Sequence, residues 1–206
     1  MVQAGLNENA VIVAAVGYVY TSPTTGTPAP SPTALETLNP LSPSTWTAAG
    51  WNLIGHTARG TLPDFGYEGG KIELKGSWQV AQIREVEQDI PADYVKLVLN
   101  QFDQYNLGLY YGQDVSSTVG EFSYAGGPWV PNEQAFLTII EDQSVRLGFY
   151  AARASIRRDA AIKLALGDFG ELPIQCTFLK YNNTTPLYSW INELLFPAVG
   201  SAEYFT

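Results

Sequence analysis

The side chains best spaced for chemistry are three carboxylates two residues apart, Glu85, Glu87 and Asp89. Alternate residues of a β-strand share a face, so on a strand these three would lie within about 14 Å on one side. Like charges placed in this way repel each other, and a straight strand does not converge its oxygen ligands on a calcium ion. We therefore expect a hydrated strand face or a deliberately acidic surface.

Other residue types that commonly do chemistry are scarce. The chain has one histidine, His56, and one cysteine, Cys176, whereas a Cys/His zinc site needs several ligands and a disulfide needs two cysteines. No nucleophile-elbow motif accompanies His56. The glycines between Gly66 and Gly76 lack the Lys-Ser/Thr of a P-loop. We therefore expect no enzyme, no metal and no cofactor, and we expect Cys176 to be a buried free thiol.

The charge of the chain argues against nucleic-acid binding. Its 206 residues carry 20 acidic and 11 basic side chains, a net charge of −9. Residues 61–150 alone hold 13 acids and five bases, so almost the whole acidic excess lies in the middle of the chain. Because a DNA-binding protein needs a cationic surface that displaces counterions, this class is excluded.

The first 50 residues divide into two parts of different character. The run Ala10–Tyr20 is apolar at both parities and rich in β-branched residues, which predicts a strand buried on both faces. It is too short to span a membrane as a helix, and no basic residue precedes Arg59, so we expect a soluble protein without a signal peptide. Residues 21–50 carry six prolines and one charge. They predict either a disordered linker or, as we favour, an arm ordered against a neighbour.

From residue 51 onward the pattern indicates strands and turns. Residues 103–111 predict a short helix, because Asp103 can cap its start and Gly112 its end, and residues 187–196 have the spacing of a second amphipathic helix. The fold class predicted is mainly β, a β-sandwich or barrel with one short packed helix and a long Pro/Thr-rich loop. A single domain over 1–206 is expected, with 183–206 as a C-terminal extension. The predicted strands are 51–55, a strand-turn-strand over 66–76, 78–90, 93–101, 135–141, 144–152, 154–166 and 172–181.

Several stretches occur in a distinctive order. The opening strand and its Pro/Thr-rich sequel are followed by four motifs, which are Trp51-Asn52-Leu53-Ile54-Gly55-His56-Thr57, Phe65-Gly66-Tyr67-Glu68-Gly69-Gly70, Gly76-Ser77-Trp78-Gln79 and the strand-helix stretch Leu97–Gly112. In this order, over roughly residues 10–180, the sequence resembles the major tail proteins, or tail tube proteins, of long-tailed, non-contractile phages infecting actinobacteria.

The resemblance implies a fold and a task. Family members form a β-sandwich closed by one helix, and six copies form a ring. Stacked rings would make the tail tube, through which the tape measure protein and then DNA pass. The tail terminator and tail tip proteins would be further partners, with no membrane involved, and the protein would be assembled in the host cytoplasm into the virion. Under this reading Glu85, Glu87 and Asp89 are candidate lumen acids, which would repel DNA phosphates.

The same resemblance suggests inter-subunit contacts and leaves two alternatives open. Arg153, Arg157 and Arg158 form a basic cluster late in the chain. This cluster would pair with acids across a subunit boundary or face the lumen. The alternatives are a carbohydrate-binding β-sandwich that uses exposed aromatic platforms, and a secretion-system tube protein of similar fold. The candidate contact residues are Pro23, Pro28, Pro30, Pro32, Leu35, Leu38 and Trp46 of the arm, with Arg153, Arg157 and Arg158 of the basic cluster.

Overall fold

A computed structural model describes residues 10–46, 50–128, 130–143 and 145–196. Strands hold 38% of the chain and helices 9%, so the mainly β fold class is confirmed. In chain order the elements are β1 Val16–Ser22, α1 Pro32–Thr37, a 3-10 helix Pro43–Thr45, β2 Asn52–Leu53, β3 Asp64–Glu68, β4 Ile72–Lys75, β5 Arg84–Glu87, β6 Ala92–Leu99, α2 Gln104–Tyr111, β7 Asn132–Asp142, β8 Val145–Arg158, β9 Leu172–Phe178 and β10 Ser189–Ile191.

The chain forms two compact units. The first contains residues 10–55, 133–154 and 179–196 of the described chain, and the second contains 56–132 and 155–178. Strand β8 therefore begins in the first unit and contributes its last four residues to the second. The single domain over 1–206 stays a prediction.

The first unit is built on a sheet with the strand order β2-β1-β7-β8, in which β10 also pairs with β8. Strand β1 runs antiparallel to β7, from the pair Val16↔Glu141 to the pair Ser22↔Ala135. Strands β7 and β8 follow each other closely in the chain, and Gln143 between them has a φ of 51°. The predicted first strand, 10–20, is only partly right, because its pairing with β7 begins at Val16. Its N-terminal part is also not buried on both faces, since Val11, Val13 and Val16 are exposed.

The Pro/Thr-rich segment packs on the sheet of its own chain. Helix α1 begins at Pro32, and the Ser31 hydroxyl caps it by accepting from the Ala34 N–H at 3.2 Å. Its Leu35 is fully buried, and Trp46 is 7% exposed. The cluster they join consists of Tyr20, Leu35, Trp46, Trp51, Ala135, Leu137, Ile139 and Ile191.

Arg146 fastens helix α1 to strand β8. Its Nη1 donates to the carbonyl oxygens of Leu35, Glu36 and Leu38 at 3.2, 3.2 and 2.7 Å. Its Nε lies 2.7 Å from a carboxylate oxygen of Glu141. A cation at the C-terminal end of a helix satisfies carbonyls that have no partner within the helix, so this short helix is held by tertiary contacts.

The second unit contains the end of β8 followed by β9, β6 and β3. Strand β6 pairs antiparallel with β9, in a register that places Val95 opposite Cys176. The strand predicted over 93–101 is confirmed, and Val95, Leu97 and Leu99, which alternate along it, are all at most 1% exposed. A strand of this pattern buries one face on the core.

The helix predicted between residues 103 and 112 is also confirmed. Asp103 is the N-cap of α2, and its carboxylate accepts from the Asn106 N–H at 2.8 Å. Gly112 ends the helix with a φ of 98°, a conformation that favours glycine. The helix packs against β9 and buries Leu109 and Tyr110.

Three predicted elements were wrong. The long strand over 78–90 is reduced to β5, whose ladder with β4 runs only from Ile72↔Glu87 to Lys75↔Arg84. The helix over 187–196 is instead β10, which pairs with β8 from Ser189↔Tyr150 to Ile191↔Gly148. The separate strand over 154–166 is the end of β8, which stops at Arg158. In each case the available strand partner, rather than the local pattern, decided the element.

Cys176 gives a test of the core of the second unit. It is a fully buried free thiol, and this burial raises the pKa of the thiol. Since the thiolate is the reactive form, Ellman's reagent at pH 8 should react with the native chain about 1,000-fold or more slowly than with the chain in denaturing urea. Equal rates in the two conditions would place Cys176 outside the core.

Candidate assembly surfaces

Strands β4 and β5 form a hairpin, residues 71–90, that is a two-stranded sheet of its own. The pairing runs from Ile72↔Glu87 to Lys75↔Arg84. The connecting loop is closed by the Ile83 N–H, which donates to the Lys75 carbonyl at 2.9 Å. An isolated two-stranded hairpin is marginally stable in water. Contact with another surface would therefore stabilise this hairpin.

The hairpin exposes most of its large apolar side chains. Monomeric proteins rarely expose large contiguous apolar patches, and such patches commonly mark interaction sites. The exposed residues are Ile72 (60%), Leu74 (52%), Trp78 (100%), Val80 (52%), Ile83 (60%) and Ile90 (90%).

The structure brings together two of the three predicted acids. Glu85 lies opposite Leu74 and Glu87 opposite Ile72, and residues directly opposite in an antiparallel pair have side chains on one face. Asp89 is also exposed, but it lies beyond the end of β5. One face of the hairpin therefore combines two carboxylates with two exposed aliphatic side chains.

The predicted contact residues of the arm fall into two groups. Pro23, Pro28 and Pro32 are exposed, and Leu38 is partly buried. Pro30, Leu35 and Trp46 are buried instead. For Leu35 and Trp46 the prediction is corrected, because a side chain packed in the core of its own chain offers no surface to a neighbour.

The basic cluster is similarly divided. Arg153 forms a bidentate pair with Glu133, in which Nε and Nη2 each donate to a carboxylate oxygen at 2.8 Å. Its acid partner therefore belongs to the same chain, and a contact of Arg153 with a neighbouring subunit stays a prediction. Arg157 and Arg158, at the end of β8, are exposed. They remain available to a partner.

An open cleft in the second unit lies beside Arg158. Its volume is about 580 Å³. The Tyr110 hydroxyl on its wall donates to the Ala160 carbonyl at 2.6 Å, and burial raises the pKa of this phenol. Sequence reasoning missed the cleft, since the consecutive tyrosines at the end of α2 were its only signal. The lining residues are Tyr110, Tyr111, Arg158, Asp159, Ala160, Ala161 and Ile162.

An aromatic cluster adjoins the cleft through Tyr111. The Tyr111 ring lies 6.2 Å from Phe122 and 5.7 Å from Tyr124, measured between ring centroids. The Asp114 carboxylate orders the loop that carries these rings by accepting from the N–H groups of Ser116 and Ser123 at 2.9 Å. These hydrogen bonds lower the pKa of Asp114.

The described residues contain no group of three or more His, Cys, Asp or Glu that could hold a metal ion. Within the same ranges no helix has the length and apolar character needed to cross a membrane.

Comparison with known proteins identifies the family. A family model described as "Phage tail tube protein" matches residues 4–201. The chain belongs to the phage tail tube protein family. It is 50% identical over 191 residues to "Major tail protein Gp23" of Mycobacterium phage D29, and equally to the protein of that name in Mycobacterium phage L5. Each match covers 92% of this chain and 94% of the relative.

The predicted resemblance to major tail proteins of actinobacterial phages is therefore confirmed. This tail tube protein is a structural component of the phage virion. The β-rich antiparallel architecture described above is consistent with the β-sandwich of that family.

Proposed function

We propose that this tail tube protein forms hexameric rings, assembled in the host cytoplasm, that stack into the tube through which the tape measure protein and genomic DNA leave the virion. The tail terminator and tail tip proteins would bind the two ends of the tube. In this proposal the protein catalyses no reaction. Its task is to hold a passage open and to let a polyanion slide through it.

The hairpin of residues 71–90 carries the proposal. It pairs with no other strand of the described chain, and it presents an apolar surface that includes Ile72, Leu74 and Ile83. Burying apolar surface stabilises association by about 25 cal/mol per Å². A second copy of the chain would give this hairpin the cover that its own chain does not provide.

Electron microscopy of the purified protein tests the assembly. Negative-stain images at increasing protein concentration should show rings or tubes with a central hole, and six-fold averages should resolve equivalent subunits. Discrete globular particles at every concentration, with monomer mass by sedimentation equilibrium, would contradict the proposal.

We propose further that Glu85, Glu87 and Asp89 line the lumen. All three carboxylates are exposed, and they lie in the part of the chain with the acidic excess. Because Glu85 and Glu87 share a face with Leu74 and Ile72, a neighbouring copy would cover the aliphatic side chains and leave the longer carboxylates at the edge of the contact, facing the lumen. Negative charge on the wall would prevent the counterion release that drives protein–DNA binding.

Charge reversal gives a measurable prediction for the lumen. Tubes of the E85K/E87K/D89K variant should retain linear double-stranded DNA in a sedimentation assay at low salt, whereas unsubstituted tubes should not. The retention should fall steeply as salt rises. A matched variant, E36K/E121K/D168K, makes the same change of charge at exposed acids elsewhere. Equal retention by both variants would remove the lumen assignment.

A further inference from the structure

Trp78 is the one aromatic residue of the hairpin. It lies in the loop between β4 and β5, with its side chain 100% exposed to solvent. Tryptophan is a large side chain that is highly buried on average, and it is enriched among the residues that dominate binding energy at interfaces. A fully exposed indole at the tip of a hairpin projects into solvent and can insert into a partner. We call the Trp78 side chain the knob.

The cleft beside Arg158 has complementary chemistry. Its walls combine the rings of Tyr110 and Tyr111 with the side chains of Ala161 and Ile162. The guanidinium of Arg158 lines the same space and forms no ion pair within the described ranges. A guanidinium is attracted to the negative face of an aromatic ring, most strongly to tryptophan.

We propose that Trp78 of one copy inserts into the Tyr110–Ile162 cleft of a second copy, with the indole lying against the Arg158 guanidinium. The cleft of about 580 Å³ has room for an indole, and the partly exposed Tyr111 ring offers an edge-to-face or offset contact. The inference rests on the proposed function, because it names the contact by which copies associate.

The position of knob and cleft favours a second copy as the occupant. They are different surfaces of the same chain, so one contact leaves a free knob on one copy and a free cleft on the other. Such a heterologous contact generates rings or open filaments. Charge agrees with this choice, since the Asp159 carboxylate of the cleft is already paired with Lys96. Within the described part of the chain, Arg158 is then left as the unpaired charge of the cleft, in a protein of net charge −9.

Substitution of Trp78 tests the contact by its effect on association. W78A should raise the critical concentration for assembly about 30-fold or more, the loss typical of a hot-spot tryptophan, while W78F should lose less. Val119 is 101% exposed in another loop, so V119A is the matched control and should assemble as the unsubstituted protein does. Circular dichroism should show that all three variants fold. Assembly of W78A at the unsubstituted concentration would overturn the inference.

A double-mutant cycle tests the proposed partner. R158A should also weaken assembly, and W78A/R158A should lose little more than W78A, because both substitutions remove one contact. Additive losses would separate Trp78 from Arg158. A photo-crosslinking amino acid at position 78, in mixed heavy- and light-isotope protein, should join a heavy copy to the light peptide containing Tyr110 or Arg158. Crosslinks that go elsewhere, or none in assembled protein, would overturn the pairing.

Failure of the inference and failure of the proposed function give different results. If the unsubstituted protein forms no assembly at any concentration, the proposed function fails and the contact fails with it. If it assembles but neither substitution nor crosslinking connects Trp78 to the cleft, only the inference fails.

Discussion

Replacing Ile72, Leu74 and Ile83 with serine should leave the tail tube protein folded as a monomer and abolish its polymerisation. These side chains are 60%, 52% and 60% exposed in the single chain, so folding gains little from them. Full burial of such a side chain is worth about 1.5–3 kcal/mol. Losing half of that for each of three residues weakens one contact by about 3 kcal/mol, or more than 100-fold.

Sedimentation velocity measures the loss of polymer, and circular dichroism verifies the fold. The matched control is the triple serine variant of Leu62, Val115 and Val119, which are 51%, 53% and 101% exposed and lie outside the hairpin. This control should polymerise as the unsubstituted chain does. If the hairpin variant also polymerised normally, the hairpin would not be an assembly surface.

Replacing Tyr20 with alanine should lower the free energy of unfolding by about 3–5 kcal/mol. Tyr20 on β1 is fully buried. Its ring packs edge-on against Trp46 at 4.7 Å between centroids, and its hydroxyl donates to the Pro40 carbonyl at 2.8 Å. Burial raises the pKa of this phenol, so it stays a protonated donor. The side chain therefore ties the Pro/Thr-rich segment to the sheet.

Two further variants serve as controls. One separates the contribution of the Tyr20 hydroxyl to stability from that of its ring, and the other replaces an exposed tyrosine. Tyr20→Phe removes only the hydrogen bond and should cost about 1 kcal/mol. Tyr67 is 69% exposed on β3, so Tyr67→Ala should change stability by no more than about 0.5 kcal/mol. Urea unfolding followed by tryptophan fluorescence measures all three. Equal losses for Tyr20→Ala and Tyr67→Ala would contradict the buried position of Tyr20.

Local sequence patterns predicted those elements that are specified by residues close to each other in the chain. The side chain of Asp103 and the backbone freedom of Gly112 specify the two ends of α2. The alternation of Val95, Leu97 and Leu99 specifies which face of β6 is buried. Both signals lie within short stretches of sequence, so these elements can be predicted without knowledge of the rest of the fold.

The Pro/Thr-rich segment shows what such patterns do not contain. Composition predicted an arm directed at a neighbour, yet Leu35 is buried in the core of its own chain. Arg146, more than 100 residues further along, holds the end of α1 through three backbone carbonyls. A contact between positions so distant in sequence leaves no periodic signal in either segment.

The candidate surfaces divide in the same way. The order of motifs in the sequence was sufficient to assign the chain to the tail tube proteins, and the spacing of Glu85 and Glu87 was sufficient to place both on one strand face. The pairing of Arg153 with Glu133 and the cleft beside Arg158 depend on side chains that folding brings together from separate segments. The exposure of Trp78 likewise depends on the tertiary structure, in which the hairpin forms a separate two-stranded sheet.

The sequence by itself determined the family, the β-rich class, the acidic excess of residues 61–150 and the buried free thiol of Cys176. These properties follow from composition, from the order of motifs and from local periodicity, all of which exist in the unfolded chain. Only the tertiary structure decided that Leu35 and Trp46 are core residues and that the hairpin is left uncovered. Burial is a property of surfaces brought together by folding, and its free energy depends on the area that distant segments cover.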